Sequence, residues 1–233
     1  MPTLYLIPTP LAPDTAEHVL TPLIPQLIAD TDAYFVEDLR SARRFITGLK
    51  TGRIIDETTF FELNKDTPPA DTRRQIQELT ERKRNAGVLS EAGCPGVADP
   101  GAVVVGMAHS LGWRVMPLVG PSSILMALMA SGLSGQSFVF HGYLPIDRHD
   151  RGRTIRHLEK EAKQRQQTQI FMETPYRNNH LFADLLAICE PDTRVCVAAN
   201  LTAPDAFVRT LTVRQWKSAV PDLHKKPTVF LLL

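Results

Sequence analysis

Ser90-Glu91-Ala92-Gly93-Cys94-Pro95-Gly96-Val97-Ala98-Asp99-Pro100-Gly101 follows the apolar stretch 86–90 and leads into the mostly apolar residues 102–111. A buried strand therefore hands over to a helix through this loop. Three glycines and two prolines make the connection rigid and leave its backbone open to close approach, while Glu91 and Asp99 add fixed negative charge. In open α/β sheets the carboxyl ends of strands form the usual binding crevice. The fold reading starts here.

Further along, Val115-Met116-Pro117-Leu118-Val119-Gly120-Pro121-Ser122-Ser123 and the apolar residues 124–133 read as strand, Gly-Pro turn, Ser cap, short helix and glycine stop. In order and spacing, the two loops resemble the tetrapyrrole methylase family of S-adenosylmethionine-dependent methyltransferases. They are most similar to its branch that methylates a ribose 2′-hydroxyl in small-subunit ribosomal RNA. That branch's S-D-A-G-T-P-x-x-S-D-P-G is matched at 90–101 and its P-G-P-S-A-x-x-x-A-L-x-x-S-G-L at 119–133. Collinear matches follow at Thr3-Leu4-Tyr5-Leu6-Ile7-Pro8-Thr9-Pro10, Val36-Glu37-Asp38-Leu39-Arg40, Phe138-Val139-Phe140-His141-Gly142-Tyr143-Leu144-Pro145 and Phe171-Met172-Glu173-Thr174-Pro175-Tyr176-Arg177.

The chain also departs from the branch. T-P-I-G-N-L becomes Thr9-Pro10-Leu11-Ala12-Pro13-Asp14, and A-R-E-L-T-K becomes Ala198-Ala199-Asn200-Leu201-Thr202-Ala203. D-T-R-x-T becomes Asp38-Leu39-Arg40-Ser41-Ala42, and the loop Asp becomes Glu91. Polar residues change while the Gly-Pro framework stays.

Composition is that expected of a soluble enzyme. At 233 residues the chain buries a substantial core. With 26 basic and 25 acidic side chains its net charge of +1 announces no nucleic acid globally, so an RNA ligand would need a local basic stripe. Cys94, Cys189 and Cys196 form no disulfide framework and no metal spacing, which suits a reducing, cytoplasmic location and predicts no metal. Met1-Pro2-Thr3-Leu4-Tyr5 lacks the basic start of a secretory signal. The uncharged stretch 115–144 is broken by Pro117, Gly120, Pro121, Gly132 and Gly135, which argues against a membrane span.

Strand patterns fall at 3–7, 33–37, 58–63, 86–90 and 114–118, with helical patterns at 16–28, 39–49, 69–85 and 101–111 between them. This predicts an α/β half with a largely parallel sheet. Strands at 137–141, 168–173, 194–198, 208–212 and 228–233 have fewer helices between them, so the second half should hold a mixed sheet. The expected organisation is two α/β domains, 1–118 and 119–233, each with a central sheet flanked by helices. The resemblance implies the tetrapyrrole methylase fold, a cofactor cleft between the domains, and a homodimer.

Methyl transfer demands alignment of nucleophile, carbon and sulfur, which supplies roughly 7–11 kcal/mol of the barrier. A rigid cofactor pocket therefore matters more than a protein nucleophile. By resemblance, S-adenosylmethionine is held by Pro10, the backbone of Glu91, Ala92 and Gly93, Val97, Ser122, Ser123, Met172, Pro227 and Thr228. A ribose hydroxyl benefits from a base, for which Glu37, Asp38 and Glu173 are the candidates. Arg40 and Arg177 would grip phosphate, or else form internal ion pairs with these carboxylates. From Arg148 to Arg165, seven Lys or Arg face three acids, the densest positive segment of the chain. Arg148 and Arg151 at its start are substrate candidates, against the alternative of a solvated helix face.

Three functions remain open on these grounds. The first is RNA ribose methylation, with the small ribosomal subunit or a related RNA as partner. The second is C-methylation of a tetrapyrrole, although the loop at 90–101 is less like the Gly-Gly-Asp-Pro of those enzymes. The third is a non-catalytic S-adenosylmethionine-binding paralogue, prompted by the missing polar residues.

Overall fold

A computed structural model describes residues 1–233, which divide into two compact units, Met1–Ser122 and Ser123–Leu233. The expected boundary after residue 118 lies just before the Gly120-Pro121 turn. That turn stays with the first unit, where the Pro121 carbonyl receives the Cys94 thiol at 3.4 Å.

The first unit runs β1 (Thr3–Ile7), α1 (Ala16–Val19), α2 (Leu23–Asp30), β2 (Ala33–Val36), α3 (Leu39–Gly48), a 3-10 turn (Ile55–Glu57), β3 (Thr59–Glu62), α4 (Pro69–Glu81), β4 (Ala86–Leu89), α5 (Gly101–Ser110) and β5 (Arg114–Pro117). Its sheet is wholly parallel, in the order β3-β2-β4-β1-β5. Every residue of β2 and β4 is buried, and their unbroken apolar runs are what a sheet covered on both faces requires. On one face Ile76 and Leu79 of α4 and Val104 and Ala108 of α5 pack on Leu4, Phe35 and Val88. On the other, Ile24 and Ile28 of α2 and Ala42 and Ile46 of α3 pack on Ile7, Val36 and Leu89.

Two helical expectations shorten. The pattern at 16–28 splits because Thr21 precedes Pro22, a position disfavoured in helix, and the backbone is already extended at Leu20. The pattern at 69–85 stops at Glu81, and Lys83 then takes a left-handed φ of 53°.

The second unit runs α6 (Ser123–Ser131), β6 (Phe138–Tyr143), α7 (Arg148–Arg165), β7 (Thr168–Met172), α8 (Asn178–Ile188), β8 (Arg194–Ala199), β9 (Phe207–Thr212), α9 (Val213–Trp216) and β10 (Thr228–Leu232). Its sheet order is β6-β7-β10-β8-β9, and only β6 and β7 are parallel. Parallel neighbours need a crossover of a dozen or more residues, which the 18-residue α7 provides, whereas the short link from β8 to β9 allows only a reversal. Ile155, Phe182, Trp216 and Phe230 centre the core on one face, and α6 covers the other through Ile124, Ala127 and Leu128. The mixed sheet expected here is found.

Candidate active site

In the first unit, the loops leaving β1, β4 and β5 are stitched together. Thr9 and Gly93 exchange both backbone hydrogen bonds, at 3.0 and 3.1 Å, and the Thr9 hydroxyl donates to the Ser90 carbonyl at 3.2 Å. The Ser90 hydroxyl donates to the Gly93 carbonyl at 3.0 Å. Gly93 has φ of 82°, a conformation that costs other residues about 1–2 kcal/mol. Gly120 is needed for closeness instead, since a Cβ there would lie 2.2 Å from Cβ of Pro8. The N–H of Gly93 is bonded to Thr9, and its carbonyl accepts from both Thr9 and Ser90. What the loop does present is exposed Glu91 and Ala92 and the half-exposed Val97, with Pro10 partly buried beside them in the first loop and Ser122 in the third.

Carboxylates gather at the ends of β2 and β4. Burial pushes Glu37 above the usual carboxylate range, and the negative charges of Glu91, Asp99 and Asp38 push further against a bond from the Glu91 backbone N–H. Burial likewise raises Asp99, whose Oδ1 accepts the N–H groups of Gly96 at 2.5 Å and Gly101 at 2.7 Å and so clamps the loop. Asp38 is different. It is the N-cap of α3, accepting from the Ser41 hydroxyl at 2.5 Å and backbone N–H at 2.7 Å, and these bonds hold it below the ordinary range. Arg40 lies exposed in the first turn of α3, with no carboxylate at ion-pair distance.

In the second unit, Met172 ends β7, half-buried, and pairs in register with Val229, which brings it beside Pro227 and Thr228. The Thr228 hydroxyl donates to the Lys226 carbonyl at 2.8 Å, which also accepts from the Asn178 amide at 2.6 Å. Pro227 is exposed, and its carbonyl accepts the Asn200 N–H at 2.9 Å. Ser123 opens α6 half-buried. Glu173, its side chain 1% exposed, accepts the Arg177 guanidinium and the Thr174 N–H, each at 2.6 Å. Arg177 and Glu173 are thus an internal pair, the alternative the sequence left open.

Two of the residues that depart from the family pattern suit the backbone they occupy. Asn200 and Asp14 sit at φ of 51° and 57°, the left-handed region that Asn and Asp tolerate better than other side chains. The Asn200 amide also donates to Asp205 at 2.8 Å, closing the turn after β8.

Arg151 is a correction. It is buried, donates to Asp184 at 2.6 and 2.9 Å, and gives its remaining bonds to the carbonyls of Ile146 and Pro145. Every nitrogen is engaged within the protein, so Arg151 ties α7 to α8 rather than meeting a substrate. Arg148 is exposed and 3.5 Å from Asp184, beside a pocket of about 460 Å³ also lined by His149, Arg156 and Asp147.

The family model of Tetrapyrrole (Corrin/Porphyrin) Methylases matches residues 13–216. The chain is 30% identical over 236 residues to the ribosomal RNA small subunit methyltransferase I of Vibrio cholerae serotype O1, spanning 100% of this chain and 77% of that protein. It is also 30% identical over 212 residues to the protein of the same name from Bacillus subtilis strain 168, spanning 90% and 67%. Among solved structures, diphthine synthase superposes with a TM-score of 0.67 at 16% identity, over 99% of this chain and 89% of that one, a likeness of fold. The chain belongs to the tetrapyrrole methylase family. It is a methyltransferase that uses S-adenosylmethionine.

The loop chemistry fits that cofactor. A sulfonium is a cation, and Glu37, Glu91 and Asp99 concentrate negative charge beside a loop whose exposed Ala92 and Val97 offer apolar contact. No helix is long and apolar enough to cross a membrane.

Proposed function

We propose that this chain transfers a methyl group to a ribose 2′-hydroxyl of small-subunit ribosomal RNA, in the cytoplasm and as a homodimer. The observation that carries the reading is the 30% identity along the whole chain to a protein named for small-subunit ribosomal RNA methylation. When bound, S-adenosylmethionine supplies an activated methyl on a sulfonium. Pro10, Glu91, Ala92, Val97 and Ser122 on the loops of the first unit are the contacts we assign to it; Ser123, Met172, Pro227 and Thr228 of the second unit are assigned on the family resemblance alone. The dimer rests on the family resemblance, and light scattering tests it.

Among the three carboxylates considered, Glu37 is the base. Glu173 is neutralised by Arg177, and Asp38 is committed to capping α3. Glu37 has no cation at ion-pair distance and holds its proton more strongly than an ordinary carboxylate, so its carboxylate form is the better acceptor for the hydroxyl proton. Exposed Arg40 and Arg148 contact phosphate, while Arg177 stays paired with Glu173.

The test combines the protein with methyl-labelled S-adenosylmethionine and small ribosomal subunits from cells lacking it. Label at a ribose 2′-oxygen supports the reading. Label in a small tetrapyrrole instead overturns it, and cofactor binding without transfer to any extract would make the chain a non-catalytic binder. Glu37→Gln should lower kcat by about 10²–10⁴, far more than the loss of one negative charge weakens cofactor binding.

A further inference from the structure

Phosphate recognition needs cations that are exposed and uncommitted, and residues 40–50 supply them. The helix α3 buries Ala42 and Ile46 and packs Leu39, Phe45 and Leu49 against the same core. Its opposite face carries Arg40, Arg43 and Arg44, all exposed and spaced at i, i+3 and i+4, so that they neighbour one another on one side of the helix. Residues 39–48 contain no acid. None of the three arginines, nor Lys50 just beyond, lies at ion-pair distance from a carboxylate. The Arg43 guanidinium stands 5.6 Å from the ring centroid of Phe60 on β3, an edge strand. That contact orients the group without neutralising it. Arg53, which donates to the Thr58 hydroxyl at 3.2 Å, extends the positive stretch toward β3.

Three like charges on adjacent turns repel one another, a cost that a polyanion reverses. The stripe begins at Arg40, three residues from Glu37 in sequence, so a strand of nucleic acid lying along α3 leads toward the carboxylate assigned as base.

We propose that the exposed face of α3, through Arg40, Arg43 and Arg44 and continuing to Lys50, is a docking track for the phosphate backbone of the substrate RNA. This deepens the RNA-methylation reading and rests on it. Arg43 and Arg44 are the part of the track that the motifs of the sequence do not mark.

The test is binding of the full-length protein to protein-free small-subunit ribosomal RNA as a function of salt, for wild type, Arg43→Gln/Arg44→Gln and Arg43→Lys/Arg44→Lys. Losing two phosphate contacts should flatten the slope of log affinity against log salt by about 1.5. It should also raise the KM for small subunits at least tenfold, with kcat and S-adenosylmethionine affinity unchanged. The lysine variant should keep the wild-type slope. An unchanged slope in the glutamine variant overturns the track, even if wild type methylates the RNA. So does equal loss of affinity for the RNA and for vesicles of anionic phospholipid, which would mark a general anion surface. Wild-type protein that binds RNA with this salt response but methylates neither it nor small ribosomal subunits overturns the function and leaves the track standing. Wild-type protein that binds no RNA overturns both.

Discussion

Helix α7 carries seven Lys or Arg and α3 carries three, yet the shorter helix holds more cations without an ion pair. On α7, Arg151 is locked to Asp184, Arg153 to Asp150, Lys163 to Glu190 at 2.6 Å and Glu159 at 3.5 Å, and Arg165 to Glu161 at 2.6 Å. Arg148 leans on Asp184 as well, which leaves Arg156 and Lys160 without an ion pair. On α3 no arginine is paired. Positive charge in α7 is mostly paired, whereas in α3 it is held out to solvent. The difference lies in where the acids are: within α7 and on the facing α8, but absent from α3.

The strongest way to break this comparison is to remove Arg151. Arg151→Ala leaves Asp184, its side chain 10% exposed, without its buried partner and should cost about 3–5 kcal/mol in denaturant unfolding. A loss below about 1 kcal/mol would mean that α7 holds its charges for some other use. Next, Asp38→Ala removes the cap that starts α3 and should cost about 1 kcal/mol. Circular dichroism and thermal melting would read it, and an unchanged melting temperature would show that α3 is set by core packing alone.

A smaller and pH-dependent effect separates the acidic end of β2 from both helices. The folded pKa of Glu37 is raised, so folded protein keeps a proton that unfolded chain has already released. Stability therefore falls as pH rises from the ordinary glutamate range through the folded value, and the deficit persists above it. Glu37→Gln should melt above wild type at neutral pH and with it below pH 4. A variant less stable at neutral pH would contradict the assignment of Glu37 as an unneutralised carboxylate. Smallest of all, Arg43→Gln and Arg165→Gln should each shift stability by about 0.5 kcal/mol, the first because its charge meets only the Phe60 ring at an exposed site, the second because surface pairs contribute little.

The alternation of strands and helices was legible because each buried strand of the first unit is an uninterrupted apolar run and each helix shows its own period, as Ala42 and Ile46 do in α3. The mixed second sheet followed from short links between strands. Less legible were facts made by distant partners. Arg151 and Asp184 stand 33 residues apart, and Gly93 meets Thr9 across the whole of β2 and β3. Counting charge along residues 148–165 found the densest basic segment but not its acids on α8 and the loop after it, so Arg151 was read as a ligand. The complementary signal was present at 39–48: three arginines on one helical face with no acid inside the helix. Of the site, the loops at 90–101 and 119–123 were visible from their Gly-Pro framework, while the pairing of Glu173 with Arg177, and so the singling out of Glu37, needed coordinates.

The position of β1 inside its sheet has a consequence for how the protein is made. Leu4 waits for Ala86, and Thr3 for Arg114, before its backbone is paired on both sides. At about 5–20 residues per second, translation leaves this apolar strand without neighbours for on the order of ten seconds. Destabilising changes in β4 or β5 should thus appear first as poor yield during synthesis, before any loss of activity in the protein that does mature.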